Sequence, residues 1–444
     1  PPPIPPPVES EKPFVRADGT NNGAFFHSGA LCVINEDTAR LPNHVQIIPF
    51  AEMLAKASGG RKPAGNDAPP KEPAPGKDPA KGDVPLKGKV TGGLTPPARQ
   101  DTDSPPPLSP TEALASFTLR PGMKIELVAS EPLIVDPVAF DWGPDGRLWV
   151  VEMRDYPNGL SWKKPGDPMG KPGGRVKVLT DTDGDGKYDD AKIFLDEVPF
   201  PTGIKVWRKG ILVTAAPDIL YAEDTDGDDK ADVRKILYHG FGEGNQQHRV
   251  NGLRWGLDNW LHVGNGDSGG QIKSELTGEQ VNVGGRDLRI RPDEGKLETT
   301  SGNTQFGRER NDWGDWFGNN NSNPIFHYVL DDHYLRRNPH AAPPAVTRHI
   351  QAQPGVAPVF PKSRTLARFN DLHTANRFTS ACSTMIYRDN LLGEDFYGNF
   401  FTSEPVHNLV HREPITSDGV SFRAERAVDE KEREFLASSD NWFR

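Results

Sequence analysis

The chain has 444 residues, a formal net charge of −10 and 35% hydrophobic residues. This length allows one large repeat fold plus a tail, and the 45 glycines and 43 prolines favour turn-rich strands over helices. The acidic balance argues against nucleic acid as a partner, and the chain has no apolar run long enough to span a membrane, so we expect small molecules, cations or proteins to bind.

Proline-rich segments dominate the N-terminal quarter of the chain. We predict an N-terminal segment, 1–54, that is ordered at most in part, and a Pro/Gly-rich linker, 55–112, since such compositions bury too little apolar surface to fold. The first residue is Pro1, and no charged-then-apolar leader follows it, so an export signal is not visible in this chain. Cys32 and Cys382 are far apart and lack CxxCH spacing, which predicts neither a zinc site nor a haem site.

Short units of strand, turn and strand begin after residue 112. Clear copies span Pro137–Met153, Pro201–Pro217 and Val250–Gly266, and Ser383–Arg412 is a weaker one. Hairpins that repeat in this way without intervening helices are typical of propeller blades. We therefore predict an all-β fold, a β-propeller of the six-bladed type over residues 113–444, preceded by a Pro-rich disordered N-terminal region.

Two acidic segments repeat 43 residues apart, "DTDGDGKYDDAKIF" from Asp181 and "DTDGDDKADVRKIL" from Asp224. An EF-hand would need helices on both sides and a Glu at loop position 12, where Lys192 and Lys235 stand. We instead predict the outer hairpins of two successive blades, in which clustered carboxylates hold a structural Ca²⁺; the alternative is a solvated acidic turn. The predicted ligands are Asp181, Asp183, Asp185, Asp189, Asp224, Asp226, Asp228 and Asp232.

The segment "GNQQHRVNGLRWGLDNWLHVGNGDSGG" carries the candidate chemistry. His248 precedes a strand where propeller loops line the central mouth, and imidazole is the usual general base near neutral pH; the alternative is an ordinary loop histidine. Gly264, Gly266 and Gly269 spell GxGxxG, but the polar, turn-rich continuation does not suit a dinucleotide fold, so we expect a loop that approaches a ligand closely. Downstream, Trp313 and Trp316 could stack on a sugar, although core packing is the favoured use.

His248, Gly256, Asp258, the strand "WLHV" and "GNGD" follow one another in an order that resembles the soluble quinoprotein sugar dehydrogenases and sorbosone-dehydrogenase-like propellers. The segments "LSPTEALASFTLRPGMKIELVASEP", "DWGDWFGNNNSNP" and "FTSEPVHNLVHR" resemble the planctomycete-type predicted membrane-bound dehydrogenases, over roughly residues 109–444. The resemblance implies a periplasmic, cell-envelope or secreted oxidoreductase. Such an enzyme transfers hydride from a sugar or other alcohol to pyrroloquinoline quinone, with His248 as base and a cytochrome as candidate electron acceptor. The candidate cofactor-binding residues are Arg249, Asn251, Asp267, Arg308, Asn319, Asn320 and Asn321.

Two departures from this resemblance bear on the prediction. The helical repeats and CxxCH cytochrome domain common in the family are missing from this sequence, and the chain ends where another blade would begin. We therefore expect a propeller truncated at its C-terminus, without ring closure and with open strand edges. The competing function is a non-catalytic, calcium-stabilised propeller that binds carbohydrate or protein at the same mouth.

Overall fold

The structure is a computed structural model that describes residues 22–27, 30–36, 106–156, 172–338, 340, 345–363 and 377–443. Most of the predicted segment 1–54 and linker 55–112 lies outside these ranges. Strands β1 (Asn22–His27) and β2 (Ala30–Glu36) form an antiparallel pair. Helix α1 (Pro110–Ala115) and strand β3 (Phe117–Leu119) follow in the range 106–156. Helix α1 begins at a capping box, in which Ser109 and Glu112 bond each other's backbone N–H groups.

The remaining strands form the blades of a propeller, so the predicted all-β propeller is confirmed. The first blade consists of β4 (Pro137–Trp142), β5 (Leu148–Glu152), β6 (Gly174–Thr180) and β7 (Asp190–Val198). The second consists of β8 (Gly203–Trp207), β9 (Gly210–Ala215), β10 (Asp218–Glu223) and β11 (Val233–Phe241). The third consists of β12 (Asn251–Trp255), β13 (Leu261–Gly264), β16 (Asp287–Arg291) and β17 (Lys296–Thr300). Between β13 and β16, the hairpin of β14 (Gly270–Ser274) and β15 (Gln280–Asn282) extends the second blade beyond β11.

Two further blades complete the described propeller. The fourth consists of β18 (Glu309–Arg310), β19 (Trp316–Asn320), β20 (Asn323–Tyr328) and β21 (Thr347–His349), with helix α2 (Asp332–Leu335) after β20. The fifth contains β22 (Cys382–Ile386), β23 (Phe400–Glu404), β24 (Leu409–Glu413) and, after the separate hairpin of β25 (Ile415–Asp418) and β26 (Ser421–Ala424), β27 (Leu436–Ser438). Short 3-10 helices lie at Glu394–Phe396 and Val428–Glu430. None of the helices in the described ranges is long and apolar enough to cross a bilayer.

The last blade carries a fifth, outermost strand that comes from the segment before the first blade. Strand β3 pairs antiparallel with β27, and the Phe117 ring meets the Phe443 ring edge-on at 4.9 Å. Strand β3 covers the edge that β27 would otherwise leave unpaired, so this edge is not open as expected, while the missing ring closure stays a prediction. These residues form five blades, one fewer than the six-bladed type has.

Residues in and just before the innermost strands of all five blades surround one axial channel. It is lined by Val138–Phe140, Thr202–Ile204, Asn251–Arg254, Phe306–Arg308 and Ser383–Met385. Its volume of ≈ 30 Å³ holds little more than water, so the channel itself is too small for a sugar or a quinone. One end of the propeller is formed by the loops that precede each innermost strand and by the loops that join the second and third strands of each blade. We call this end the mouth. The turns between first and second and between third and fourth strands form the opposite end.

Candidate functional site

The two acidic segments lie where the sequence predicts them, as hairpins between β6 and β7 and between β10 and β11. Carboxylate oxygens of Asp181, Asp183 and Asp185 lie within 4.8 Å of one another, and so do those of Asp224, Asp226 and Asp232 in the second copy. The turns hold these groups together with backbone N–H bonds, as from Gly184 and Gly186 to Asp181 at 2.7 and 2.9 Å. Carboxylate oxygens at this spacing suit a hard cation such as Ca²⁺. In both turns the fourth predicted ligand position, Asp189 or Asp232, accepts from a Thr N–H and hydroxyl.

The second acidic turn also joins two blades. Asp229 has a φ of 65° and directs its carboxylate at the first blade, 2.6 Å from Arg147 and 2.7 Å from Lys192. These charge-assisted bonds lower the pKa of Asp229, the bond from Lys192 most strongly. Lys192, the residue that argues against an EF-hand, thus carries an ion pair between blades.

His248 lies at the mouth, at the entrance to the third blade. Its side chain is 25% exposed, its Nδ1 is 3.8 Å from Asp267 Oδ2, and its Nε2 is 3.0 Å from the side-chain nitrogen of Gln305. Asp267 comes from the loop after β13 and Gln305 from the segment before β18. Two adjacent blades therefore converge on one imidazole.

Gln305 determines which nitrogen of His248 accepts a hydrogen bond. Its Oε1 accepts the backbone N–H of Asn321 at 3.0 Å, and its Nε2 donates to Asn321 Oδ1 at 2.7 Å, so the orientation of the amide follows from its partners. The second N–H of the amide then donates to His248 Nε2, which must carry a lone pair. The neutral ring holds its proton on Nδ1, on the side of Asp267. Sequence reasoning missed Gln305, since no motif surrounds it.

A glycine allows the Asp267 loop to approach His248. Gly266 has a φ of +73°, and a Cβ there would clash with the Arg249 carbonyl oxygen. In addition, the Ser268 hydroxyl donates to the His248 carbonyl. The close approach expected from the glycine pattern therefore occurs, but to the chain's own backbone. Partial burial of Asp267 raises its pKa, and the neighbouring His248 opposes that shift.

Arg249 follows His248 in the chain and carries a largely buried guanidinium. It is 7% exposed, its guanidinium lies 4.6 Å from the centre of the Phe200 ring, and one NH₂ group donates to the Glu243 carbonyl at 2.9 Å. Its Nε has no hydrogen-bond partner among the described residues. One donor of the guanidinium is thus buried without a partner in the described residues.

The other predicted cofactor-binding residues lie away from His248, with Asn321 as the exception. Asn251 is fully buried and donates to the carbonyls of Arg249 and Gln305 at 2.8 Å. Arg308 is buried in an ion pair with Asp287 at 2.6 Å. Asn319 donates to Phe306 and Thr384, and Asn320 accepts three bonds within its own turn. In this structure these four side chains brace the blades.

The two tryptophans of the fourth blade have different surroundings. Trp316 stacks on the His262 ring with centroids 3.9 Å apart, which agrees with the core packing that the sequence favours for it. Trp313 is 74% exposed in the turn before β19, and packing therefore does not describe it.

Comparisons with known proteins give a family and several solved structures of low similarity. No curated protein sequence matches the chain. The aldose sugar dehydrogenase of Streptomyces coelicolor in its PQQ-bound form superposes with a TM-score of 0.39 at 14% identity, covering 70% of this chain and 85% of that one. The PQQ domain of pyranose dehydrogenase from Coprinopsis cinerea gives 0.38 at 11% identity, with 73% and 87% covered. Virginiamycin B lyase from Staphylococcus aureus gives 0.36 at 11% identity, with 71% and 76% covered.

One family model matches the whole described propeller. It covers residues 109–444, from the residue that caps helix α1 to the last residue of the chain. The chain therefore belongs to the DUF7133 family, a domain of unknown function.

Proposed function

We propose that this propeller is a quinoprotein-like oxidoreductase that oxidises a sugar or other alcohol at the mouth, with His248 as the base. The observation that supports this most strongly is the arrangement of Asp267, His248 and Gln305, in which an amide donor keeps the lone pair on His248 Nε2. A base needs such a lone pair directed at its substrate, and a nearby carboxylate to stabilise the cation that forms. The sequence resemblance to quinoprotein sugar dehydrogenases agrees with this assignment.

The residues of the chain would act as follows. The substrate hydroxyl takes the place of the Gln305 amide at His248 Nε2, and the imidazole accepts its proton. Asp267, 3.8 Å from Nδ1, stabilises the resulting imidazolium; such contacts are often loose before substrate binds. Pyrroloquinoline quinone, when bound, would accept the hydride from the carbon that bears this hydroxyl. Arg249 and Asn321 would hold the acidic groups of the quinone.

Calcium belongs to this proposal as a structural ion. The three-carboxylate clusters of the two acidic turns would each bind one Ca²⁺ at the end opposite the mouth. We further propose that the protein works in the periplasm, in the cell envelope or outside the cell, where millimolar calcium suits sites of moderate affinity. A cytochrome would accept the electrons.

The test is dye reduction by the purified chain, supplied with Ca²⁺ and pyrroloquinoline quinone and screened over aldoses and primary and secondary alcohols. We expect turnover with at least one substrate, and His248→Ala to lower kcat/KM by about 10²–10⁴-fold. His239→Ala is the matched control, since His239 also pairs with a carboxylate, Asp218, at 2.6 Å on an exposed strand. Folded protein that reduces no dye with any substrate would rule out the oxidoreductase.

A specific observation favours a second candidate, a non-catalytic propeller that binds carbohydrate or protein at the mouth. Asn251, Arg308 and Asn319 are each buried with partners in the chain, which leaves fewer groups for a cofactor. A binding module would keep its ligand affinity in His248→Ala and show no turnover. Ligand-binding calorimetry on the parent protein and on the His248→Ala variant therefore separates the two candidate functions.

A further inference from the structure

A second cleft lies between the third and fourth blades, and turns at the end opposite the mouth form its rim. It has a volume of ≈ 390 Å³, within the range of about 300–1,000 Å³ common for small-molecule sites. Turns of the third blade supply Leu257 and Asp258, and the fourth blade supplies Trp313, Asp315 and the segment from Tyr328 to Tyr334. None of the residues assigned to the proposed oxidation, His248, Asp267, Gln305 and Arg249, lines it.

Exposed aromatic residues form its rim. Trp313 is 74% exposed and Tyr334 55% exposed, on opposite sides of β19 and β20 in the sequence. The turn that carries Trp313 is rigid, because the Asn311 side chain accepts the N–H groups of Trp313 and Asp315 and donates to the Asp315 carboxylate. An indole held in water by a braced turn offers a flat apolar surface to a ligand.

The floor contains buried polar atoms that lack partners among the described residues. His262 is 2% exposed; its Nδ1 makes no hydrogen bond among the described residues, and its Nε2 has only a long contact of 3.5 Å to the Asp258 carboxylate. Arg308 Nε and Asp331 Oδ1 are likewise buried and unpaired. Buried polar atoms normally find partners, so three such atoms around one cleft point to a ligand with hydroxyl groups.

The two guanidinium groups of the cleft are already paired within the protein. Arg289 bonds Asp258 at 2.9 Å and Glu298 at 2.7 Å, and Arg308 bonds Asp287 at 2.6 Å. Burial lowers the pKa of His262 to about 4, so its ring is neutral at pH 7. Asp315 and Asp331 add further carboxylates to the lining, and its two guanidiniums are both already paired, so the cleft suits an uncharged ligand better than an anionic one.

We propose that this cleft binds a neutral saccharide unit of a glycan. The apolar face of a pyranose ring packs on Trp313, with Tyr334 at the other side of the rim. Its hydroxyl groups bond His262, Arg308 Nε and Asp331 Oδ1. Binding here needs neither a quinone nor His248, so it stands apart from the proposed oxidation.

The test is isothermal titration calorimetry of the full chain with four neutral hexasaccharides, cellohexaose, laminarihexaose, xylohexaose and mannohexaose, and with tetragalacturonate as the anionic probe. We expect at least one hexasaccharide to bind and Trp313→Ala to weaken it by about tenfold or more. The matched control is Trp142→Ala, another partly exposed tryptophan, next to the turn after β4 of the first blade, which should change the affinity by less than about twofold.

His262→Phe keeps a flat ring against Trp316 and removes both nitrogens, so it should weaken the same hexasaccharide by about fivefold while the melting temperature stays high. His248→Ala should bind as the parent does. The proposal is overturned if no hexasaccharide binds, if only tetragalacturonate binds, if Trp142→Ala matches Trp313→Ala, or if His248→Ala abolishes binding.

Discussion

The side-chain nitrogen of Gln305 lies 3.0 Å from Nε2 of His248, and two bonds to Asn321 determine that this nitrogen is a donor. The imidazole is therefore held as the tautomer with its proton on Nδ1. A residue from the fourth blade thus sets the protonation pattern of a residue from the third.

The tautomer can be measured directly. In protein labelled with ¹⁵N-histidine, we expect the His248 Nε2 signal in the range of an unprotonated ring nitrogen and the Nδ1 signal in that of a protonated one. Gln305→Glu places a carboxylate at Nε2, which should hold a proton there, reverse the two signals and lower dye reduction by about 10²-fold or more. The opposite tautomer in the parent protein would contradict the structure, and Gln247→Glu serves as a neighbouring control.

A second prediction concerns the contact between the first two blades. Asp229→Asn removes the carboxylate shared by Arg147 and Lys192 and should lower the free energy of unfolding by about 1 kcal/mol, since these groups are partly exposed. Because the folded pKa of Asp229 is lowered, its contribution is present above the unfolded pKa of about 3.9 and is lost as the pH falls through the folded value. Urea denaturation between pH 7 and pH 3 measures this.

The control for that experiment is Asp418→Asn, at an exposed position in the hairpin of β25 and β26. It should leave the denaturation midpoint nearly unchanged at every pH. A plot of unfolding free energy against pH for Asp229→Asn that runs parallel to the parent plot down to pH 3 would show that the ion pair does not cause the pH dependence.

Calcium removal provides a third prediction. If each acidic turn binds Ca²⁺, then free Ca²⁺ at about a hundred times the dissociation constant stabilises the fold by about 2.7 kcal/mol per site, and EDTA should lower Tm by several degrees. The double variant Asp183→Asn with Asp226→Asn affects one central carboxylate in each cluster and should abolish the response. Equal Tm values in Ca²⁺ and EDTA for the parent protein would favour a solvated acidic turn.

The repeating hairpins could be predicted from sequence because strand alternation and turn residues are local signals. The spacing from Asp181 to Asp224 measures one blade for the same reason. Contacts made across blades have no such local signal. Nothing around Gln305 reveals that it reaches His248. Phe117, in β3, lies about 320 residues from β27, the strand with which β3 pairs. The exposure of Trp313 depends on Asn311, whose bracing bonds become evident only in the folded turn.

The buried His262 makes stability depend on pH in a definite window. Its folded pKa of about 4 is below the unfolded value of about 6.5, so on acidification the unfolded chain takes up a proton that the folded chain does not. The free energy of unfolding should therefore fall between pH 6.5 and pH 4, by up to about 3 kcal/mol from this group. His262→Phe should remove that part of the slope while the ring still stacks on Trp316. A plot of unfolding free energy against pH for His262→Phe that runs parallel to the parent plot would show that the buried ring does not titrate in this way.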